Sequence, residues 1–482
     1  MANLFKNAIQ NTPVKAKTNN GGATFASSTN PCVDLFFLLG ASRGKDIKQT
    51  FEKSLGFDED ATLRMLFWAR DVRHGAGERQ TFRNLMQYLE NTRPSTALKL
   101  LRLIPEYGRW DDLLVFTGSL KKPAFDVIAN GLKNPNTSGL CAKWMPRKGF
   151  QAKQLRDHLK LTPKGYRKLL VSLSKDVVEV KMCAKEWSAI DFNKVPSLAS
   201  ARYQKAFYKN ATETYTAYRT ALSSKDPVVR STAKINASAI FPHDVLKGVY
   251  RGDPEVAKAQ WDALPNYLGD NKILPVCDVS GSMGTFGNSS KGTVAPIDIS
   301  VSLGLYIADK QSGPFKDLIC TFSGESKFEV LKGDILSKTK QLSSLHWEMN
   351  TNIEKVFANI LKLAVQLNLP DSELPRIVLI ISDMEFDSCA KNANKTVFQV
   401  ASQEFAKRGY TLPKIVFWNV NGRAGNSPVT ARDENTALVS GYSPSILKAV
   451  LKVDFESFSP VGVMNSTIMS SRYDAVSEAL KA

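Results

Sequence analysis

The sequence has little of what marks a disulfide-stapled or zinc-binding scaffold. Its six cysteines (Cys32, Cys141, Cys183, Cys277, Cys320, Cys389) lie scattered, with no CxxC and no paired spacing. That excludes a disulfide framework and a zinc ribbon, and predicts reduced thiols in an intracellular protein. The four histidines are not spaced with one another or with cysteine as a ligand set. No apolar run approaches the ~18 residues of a membrane span; the longest, LFFLLG from Leu35, stops far short. The opening stretch, MANLFKNAIQNTPVKAKTNNGG, has no apolar core followed by small residues, so no secretory leader is expected. A soluble cytoplasmic protein with no membrane partner is the expectation.

Acidic residues are scarce in only one part of the chain. Residues 1–270 hold 42 Lys and Arg against 25 Asp and Glu, a net +17, whereas residues 271–482 hold 22 against 21, a net +1. Within the first part, residues 141–170 carry nine basic residues and one acidic. One half is therefore expected to face a polyanion while the other has a different task.

The pattern along the 482 residues predicts a multidomain protein. Residues 1–30 are rich in Asn, Thr, Lys and Gly without periodicity, which predicts a flexible polar arm. From 31 to 265 the pattern is helical: Leu63, Leu66 and Phe67, then Phe82, Leu85, Met86 and Leu89, recur at i, i+3, i+4 spacing between short Gly- and Pro-bearing breaks. An all-α domain, either HEAT-like helical repeats or an irregular bundle, is expected there, with residues 240–270 as a connector. In residues 266–482 the pattern changes. KILPVCDVS, KDLICTFSG, PRIVLIISDMEF, KIVFWNVNG and NTALVSG are apolar runs ending in turn residues, and amphipathic helices stand between most of them. This predicts an α/β domain, a doubly wound, Rossmann-like parallel sheet with its ligands beyond the C-terminal strand ends.

PVCDVSGSMG places Asp278, Ser280 and Ser282 behind the first of those strands; Thr351 stands just before a helix, and Asp383 closes the strand IVLIISD. Few, hard oxygen donors suit Mg²⁺. The plainer reading is a turn capped by Asp278. An aspartyl-phosphate enzyme would want a second acid where Ser280 stands. A serine hydrolase would want a framed base, and His346 is unframed.

DVSGSM, TN and ISD resemble the metal-ion-dependent adhesion site of von Willebrand factor A domains: DxSxS, then a Thr, then an Asp. The resemblance spans residues 271–482, with NTALVSGYS similar to the family's late strand. It implies that Ser280, Ser282 and Thr351 contact Mg²⁺ or Mn²⁺ directly or through water, that Asp278 and Asp383 help hold it through waters, and that a partner's carboxylate takes the open position. The chain departs from the family where Met349 and Asn350 precede Thr351, and where SDMEFD adds Glu385 and Asp387.

In the helical half, FWARDVRHGAGERQTFRNLM sets Arg64, Arg70, Arg73, Arg79 and Arg83 around a Gly-bearing turn that opens a helix, a candidate anion site. CAKWMPRKGFQAKQLRDHLKLTPKGYRKLL interleaves Trp144, Phe150 and Tyr166 with Lys143, Arg147, Lys148, Lys153, Arg156, Lys164, Arg167 and Lys168. Cations neutralise phosphates and aromatics stack on unpaired bases, although tryptophans such as Trp144 serve equally as core residues. RDVRHGAGER and YGRWDDLL resemble segments of Ro (TROVE-module) ribonucleoproteins. RDVR-G-GER, AKWMP and SDMEFD resemble more closely an uncharacterised family of viral, plant and fungal proteins with the same two halves. The Ro resemblance implies a helical ring closed by an A domain, binding small non-coding RNAs on a basic outer surface and misfolded RNA ends in its hole, without catalysis. The expectation is therefore a non-enzymatic, Ro-like RNA-binding protein with a metal site. A protein-interaction or virion-assembly module gripping a partner carboxylate is the alternative, and a metal-dependent nuclease a third class. The oligomeric state is left open.

Overall fold

The computed structural model describes residues 12–237, 240–287, 294–322, 324–344, 350–388, 394–453 and 457–481. It opens with a short antiparallel hairpin, β1 (Lys15–Lys17) and β2 (Ala23–Phe25). Helices fill the chain from residue 31 to residue 262, many packed on the next in sequence. The six-stranded sheet follows: β3 (Ile273–Asp278), β4 (Leu318–Phe322), β5 (Ser326–Val330), β6 (Ile377–Ser382), β7 (Lys414–Asn419) and β8 (Thr436–Ser440).

The spatial order is β5-β4-β3-β6-β7-β8. All neighbours are parallel except β4 and β5. The order runs outward in both directions from β3, so the topological switch point lies between β3 and β6, and a crevice opens beyond their C-terminal ends. Strands β3, β6, β7 and β8 are buried along their whole length. This is why their sequences read as unbroken apolar runs rather than alternating ones. The antiparallel edge strand β5, SKFEV, is half exposed and has no counterpart among the expected strands, because its alternation is too short to stand out.

The helical and sheet halves interlock. The first helix, Pro31–Leu39, is set by Asn30, whose side chain accepts the N–H groups of Cys32 (2.9 Å) and Val33 (3.2 Å), while Pro31 sits in the first turn where a missing N–H costs nothing. This helix lies on β7 and β8. Asn419 donates to the Phe37 carbonyl (3.1 Å) and Ser440 to that of Phe36 (2.6 Å). Gly40 follows because a β-carbon there would stand 2.2 Å from the Ser440 carbonyl oxygen. At the other end of the chain, the helix Asp474–Lys481 returns to pack on Glu59–Arg70 and Pro94–Leu100. Asp71 holds this return: its carboxylate accepts from Arg472 Nε (2.6 Å) and the Tyr473 hydroxyl (3.3 Å). One hydrophobic core runs through both halves, and a second, smaller one gathers Val178, Phe192, Phe207 and Tyr215. Among the described residues no helix is long and apolar enough to cross a membrane.

The expectation of a flexible arm over residues 1–30 is corrected for residues 12–30; residues 1–11 lie outside the described residues. β2 continues its pairing onto Ser427, and Gly21 bridges to Asp387. The sequence looks structureless because these hydrogen bonds are made to residues more than 360 positions away.

His243 carries a pH dependence. It is buried between the rings of Phe241 and Tyr442, and its Nδ1 has no hydrogen-bond partner among the described residues. Burial, outweighing nearby Asp244, lowers its pKa to about 4. The folded protein therefore keeps this ring neutral while the unfolded chain protonates below ~6.5. Stability is complete above that value and is lost as pH falls toward 4. Between pH 7 and pH 5 the loss should be about 2 kcal/mol. Urea unfolding at the two pH values should show it, and His243→Gln should flatten the dependence.

Candidate functional site

The sheet crevice brings three distant segments together. Asp278 ends β3 and Asp383 follows β6, so the switch point places both carboxylates side by side, each buried. Asp278 accepts the backbone N–H of Ser280 (2.9 Å) and the hydroxyl of Ser382 (2.5 Å). The hydroxyls of Ser280 and Ser282 lie 3.3 Å apart. Thr351 is tied in from the third segment: its N–H donates to Asp387 Oδ2 (2.8 Å) and its carbonyl accepts the Asp387 N–H (3.0 Å). Burial, then the neighbouring Asp383 charge, pushes the Asp278 pKa up to about 7. Burial likewise raises that of Asp383.

One buried oxygen of the site, Asp383 Oδ2, has no hydrogen-bond partner among the described residues. The nearest cationic group is Arg423 Nη2 at 3.7 Å, and Arg423 Nη1 reaches Glu385 Oε1 at 3.2 Å. Among the described residues no group of three or more His, Cys, Asp or Glu converges as a metal centre. An ion here would be held by hydroxyls as much as by carboxylates. Two buried carboxylates, one of them with an orphaned oxygen, and the paired hydroxyls of Ser280 and Ser282 fit a small hard divalent cation such as Mg²⁺ or Mn²⁺, with Thr351 held to the same loop through Asp387. Arg423 escapes a reading of the sequence because it comes from the loop after β7, with no motif around it. His346, Met349 and Cys389 lie outside the described residues.

The arginines of the helical half divide into two kinds. Arg70 is corrected as an RNA contact. It is 1% exposed and its guanidinium bonds Asp112 Oδ2 through Nε (2.8 Å) and Nη2 (2.7 Å). Arg83 joins both Asp112 (2.6 Å) and Asp111 (2.8 Å), and Arg109 pairs with Asp111 (2.5 Å). YGRWDDLL and RDVR are thus two sides of one buried ion network. The expected anion site at the start of the helix Gln80–Thr92 is likewise taken by the protein's own Glu78, which accepts the N–H groups of Thr81 (3.3 Å) and Arg43 (3.1 Å). Asp112→Ala would leave Arg70 charged and buried without a partner, at a cost of ~3–5 kcal/mol. Its denaturation midpoint should fall sharply.

The remaining candidates form a surface. Arg73 and Arg79 are exposed, and Arg73 donates to the Glu106 carbonyl (3.2 Å). Partial desolvation of its guanidinium, then Arg109 and Arg83, lower the pKa of Arg79. Trp144 is corrected as a free stacking platform. It packs against the core, and the Arg109 guanidinium lies 3.7 Å from its ring centroid. Lys143 is half-buried against Glu179 (3.3 Å), and half-buried Arg156 lies beside Asp157 (3.5 Å). Tyr166 is buried, its hydroxyl donating to the Pro146 carbonyl (3.0 Å). By contrast, Arg147, Lys148, Lys153, Lys164, Arg167 and Lys168 are all exposed, and among the described residues none is paired with a carboxylate. Lys153 lies on the helix Gly149–His158, Lys164, Arg167 and Lys168 lie on the helix Pro163–Leu173, and Arg147 and Lys148 just precede the first of these. Phe150, in the first turn of the helix Gly149–His158, is 73% exposed, with Lys121 Nζ 6.0 Å from its ring centroid. It stands in the basic run with no sequence signal to separate it from Trp144 and Tyr166; only packing does so.

The profile of a family described as a domain of unknown function (DUF2828) matches residues 18–117 and 127–272, and that of a second such domain (DUF7788) matches residues 272–471. The chain is similar to the uncharacterized protein L728 of Acanthamoeba polyphaga mimivirus, 28% identical over 512 residues, covering 93% of this chain and 86% of that protein. Among solved structures it is similar to the Deinococcus radiodurans RO (RSR) protein, at 14% identity and a TM-score of 0.45, over 92% of this chain and 99% of that one.

Proposed function

We propose that this chain, which belongs to the family described as a domain of unknown function (DUF2828), is an RNA-binding protein that captures single-stranded segments on the basic surface of its helical half. The observation that carries the reading is the run of seven exposed cations between residues 147 and 168, Lys160 included, none of them paired with a carboxylate among the described residues, with exposed Phe150 in the same run. Unpaired cations on a surface release condensed counterions from a phosphate backbone, and an exposed aromatic gives a base a face to stack on. Arg109 and Lys143 lie over the Trp144 ring, and exposed Arg79 lies near Arg109 and adds positive charge to this half. The motif resemblance to Ro proteins directs the choice toward small non-coding or misfolded RNA. The action is capture, not catalysis.

The test is the salt dependence of binding to a short single-stranded RNA by the full chain. With five or six phosphates neutralised, log K should fall against log salt with a slope of roughly −3.5 to −4. A slope near zero would remove this reading.

A second reading concerns the sheet crevice. Asp278, Ser280, Ser282, Thr351 and Asp383 would hold Mg²⁺ or Mn²⁺, and the ion would supply a positive point able to receive a partner's carboxylate. The orphaned Asp383 oxygen supports it. In this reading the sheet half is an interaction module rather than an enzyme.

A further inference from the structure

The donors in the sheet crevice are not open to a partner. Asp278, Ser280 and Thr351 have no exposed surface, Asp383 has almost none, and of the five only Ser282 faces solvent. What lies over Thr351 is the turn between β1 and β2. Thr18 donates its hydroxyl to the Phe386 carbonyl (2.6 Å), and the Asn19 N–H donates to Glu385 Oε2 (2.7 Å). Asn20 Nδ2 donates to the Glu385 carbonyl (2.6 Å) and to the Thr351 hydroxyl (3.3 Å). Ser388 closes the far side by donating to the Gly21 carbonyl (2.7 Å).

The turn is shaped for this seat. Gly21 adopts φ +84°, a conformation costly for other residues. A β-carbon on Gly22 would lie 2.4 Å from the Phe386 carbonyl oxygen, so the backbone approaches this closely only because the residue is glycine. The Thr18 hydroxyl also accepts the Gly22 N–H (2.8 Å), fixing the turn from within. Arg423 holds the other Glu385 oxygen (3.2 Å), so this carboxylate is shared between the turn and the loop after β7.

We infer that residues 18–22 are a fourth segment of the metal site, a cover supplied by the chain itself, with Asn20 standing beside Thr351 where a partner's carboxylate would approach the ion. The inference rests on the metal reading above. Asn20 presents an uncharged amide, so the cover occupies the approach without adding a further negative charge to Asp278, Asp383 and Glu385. A partner reaches the ion by displacing these hydrogen bonds, and binding then releases the N-terminal arm.

The experiment uses the full chain, with Mn²⁺ as the ion and acetate as the probe carboxylate. Water-proton relaxation counts exchangeable water on bound Mn²⁺, and amide hydrogen exchange follows the arm. Gly22→Val expels the turn by collision with Phe386. Asn20→Ala removes only the two bonds at Glu385 and Thr351, on a solvent-exposed residue, and serves if the first variant folds poorly. The wild-type protein should bind Mn²⁺ with low relaxation enhancement and little response to acetate. Each variant should keep Mn²⁺ affinity, show a higher enhancement, and lose that gain when acetate is added. Equal enhancement and equal acetate response in all three proteins would overturn the cover and leave the ion site standing. Failure of all three to bind Mn²⁺ would overturn the site and the cover together.

Discussion

Asp278→Asn should bind Mn²⁺ ~10–100-fold more weakly than the wild-type protein, the loss typical of removing a group that orients metal ligands. The carboxylate receives the Ser280 N–H and the Ser382 hydroxyl, and thereby fixes the loop that presents Ser280 and Ser282. Asparagine keeps the volume and one acceptor but removes a charge. Without metal that removal is favourable, because the buried Asp383 carboxylate no longer faces a like charge. The two effects have opposite signs and can be separated in thermal melts. A saturating ion adds stability as RT ln(1 + [L]/Kd), about 2.7 kcal/mol at a hundred times Kd. The wild-type melting temperature should therefore rise with Mg²⁺ and fall on addition of a chelator. The variant should start at or above the metal-free wild type and barely respond. A variant that still gained as much from Mg²⁺ would remove these residues as ligands.

The sheet half is far more legible in the sequence than the helical half, for a physical reason. A parallel strand buried on both faces is an unbroken apolar run, and the residue that ends it stands at the crevice. Asp278 and Asp383 can thus be placed from β3 and β6 alone. Thr351 needs the resemblance, since its loop has no periodic signal. The turn at residues 18–22 is illegible because its partners, Glu385 and Phe386, are reached across a long sequence separation by polar atoms. In the helical half, charge and spacing do not tell a structural arginine from a ligand-facing one. Arg70 and Arg79 sit in one motif, yet Asp112 claims the first while the second is exposed. Burial decides, and burial is a property of the packed chain.

Phe150→Ala should weaken binding of single-stranded RNA by ~1–3 kcal/mol, whereas Phe150→Tyr should largely preserve it, because stacking needs a π-face and tolerates a hydroxyl at its rim. The side chain is 73% exposed, so its removal should leave the melting temperature almost unchanged, and weakened binding would report RNA stacking rather than folding. Trp144→Ala provides the contrast. That ring packs on the core beneath Arg109, so its truncation should lower the melting temperature first. The cations give a different signature. Replacing Arg147, Lys148 and Arg167 together with Ala should weaken all RNA sequences alike and flatten the log K against log salt slope by about 2, near 0.7 for each phosphate no longer neutralised. Phe150→Ala should leave that slope unchanged, since a stacked base releases no counterion. A phenylalanine variant that changed the slope, or a cation triple variant that did not, would place the RNA elsewhere on the helical half, with the exposed Arg73 and Arg79 the next to replace.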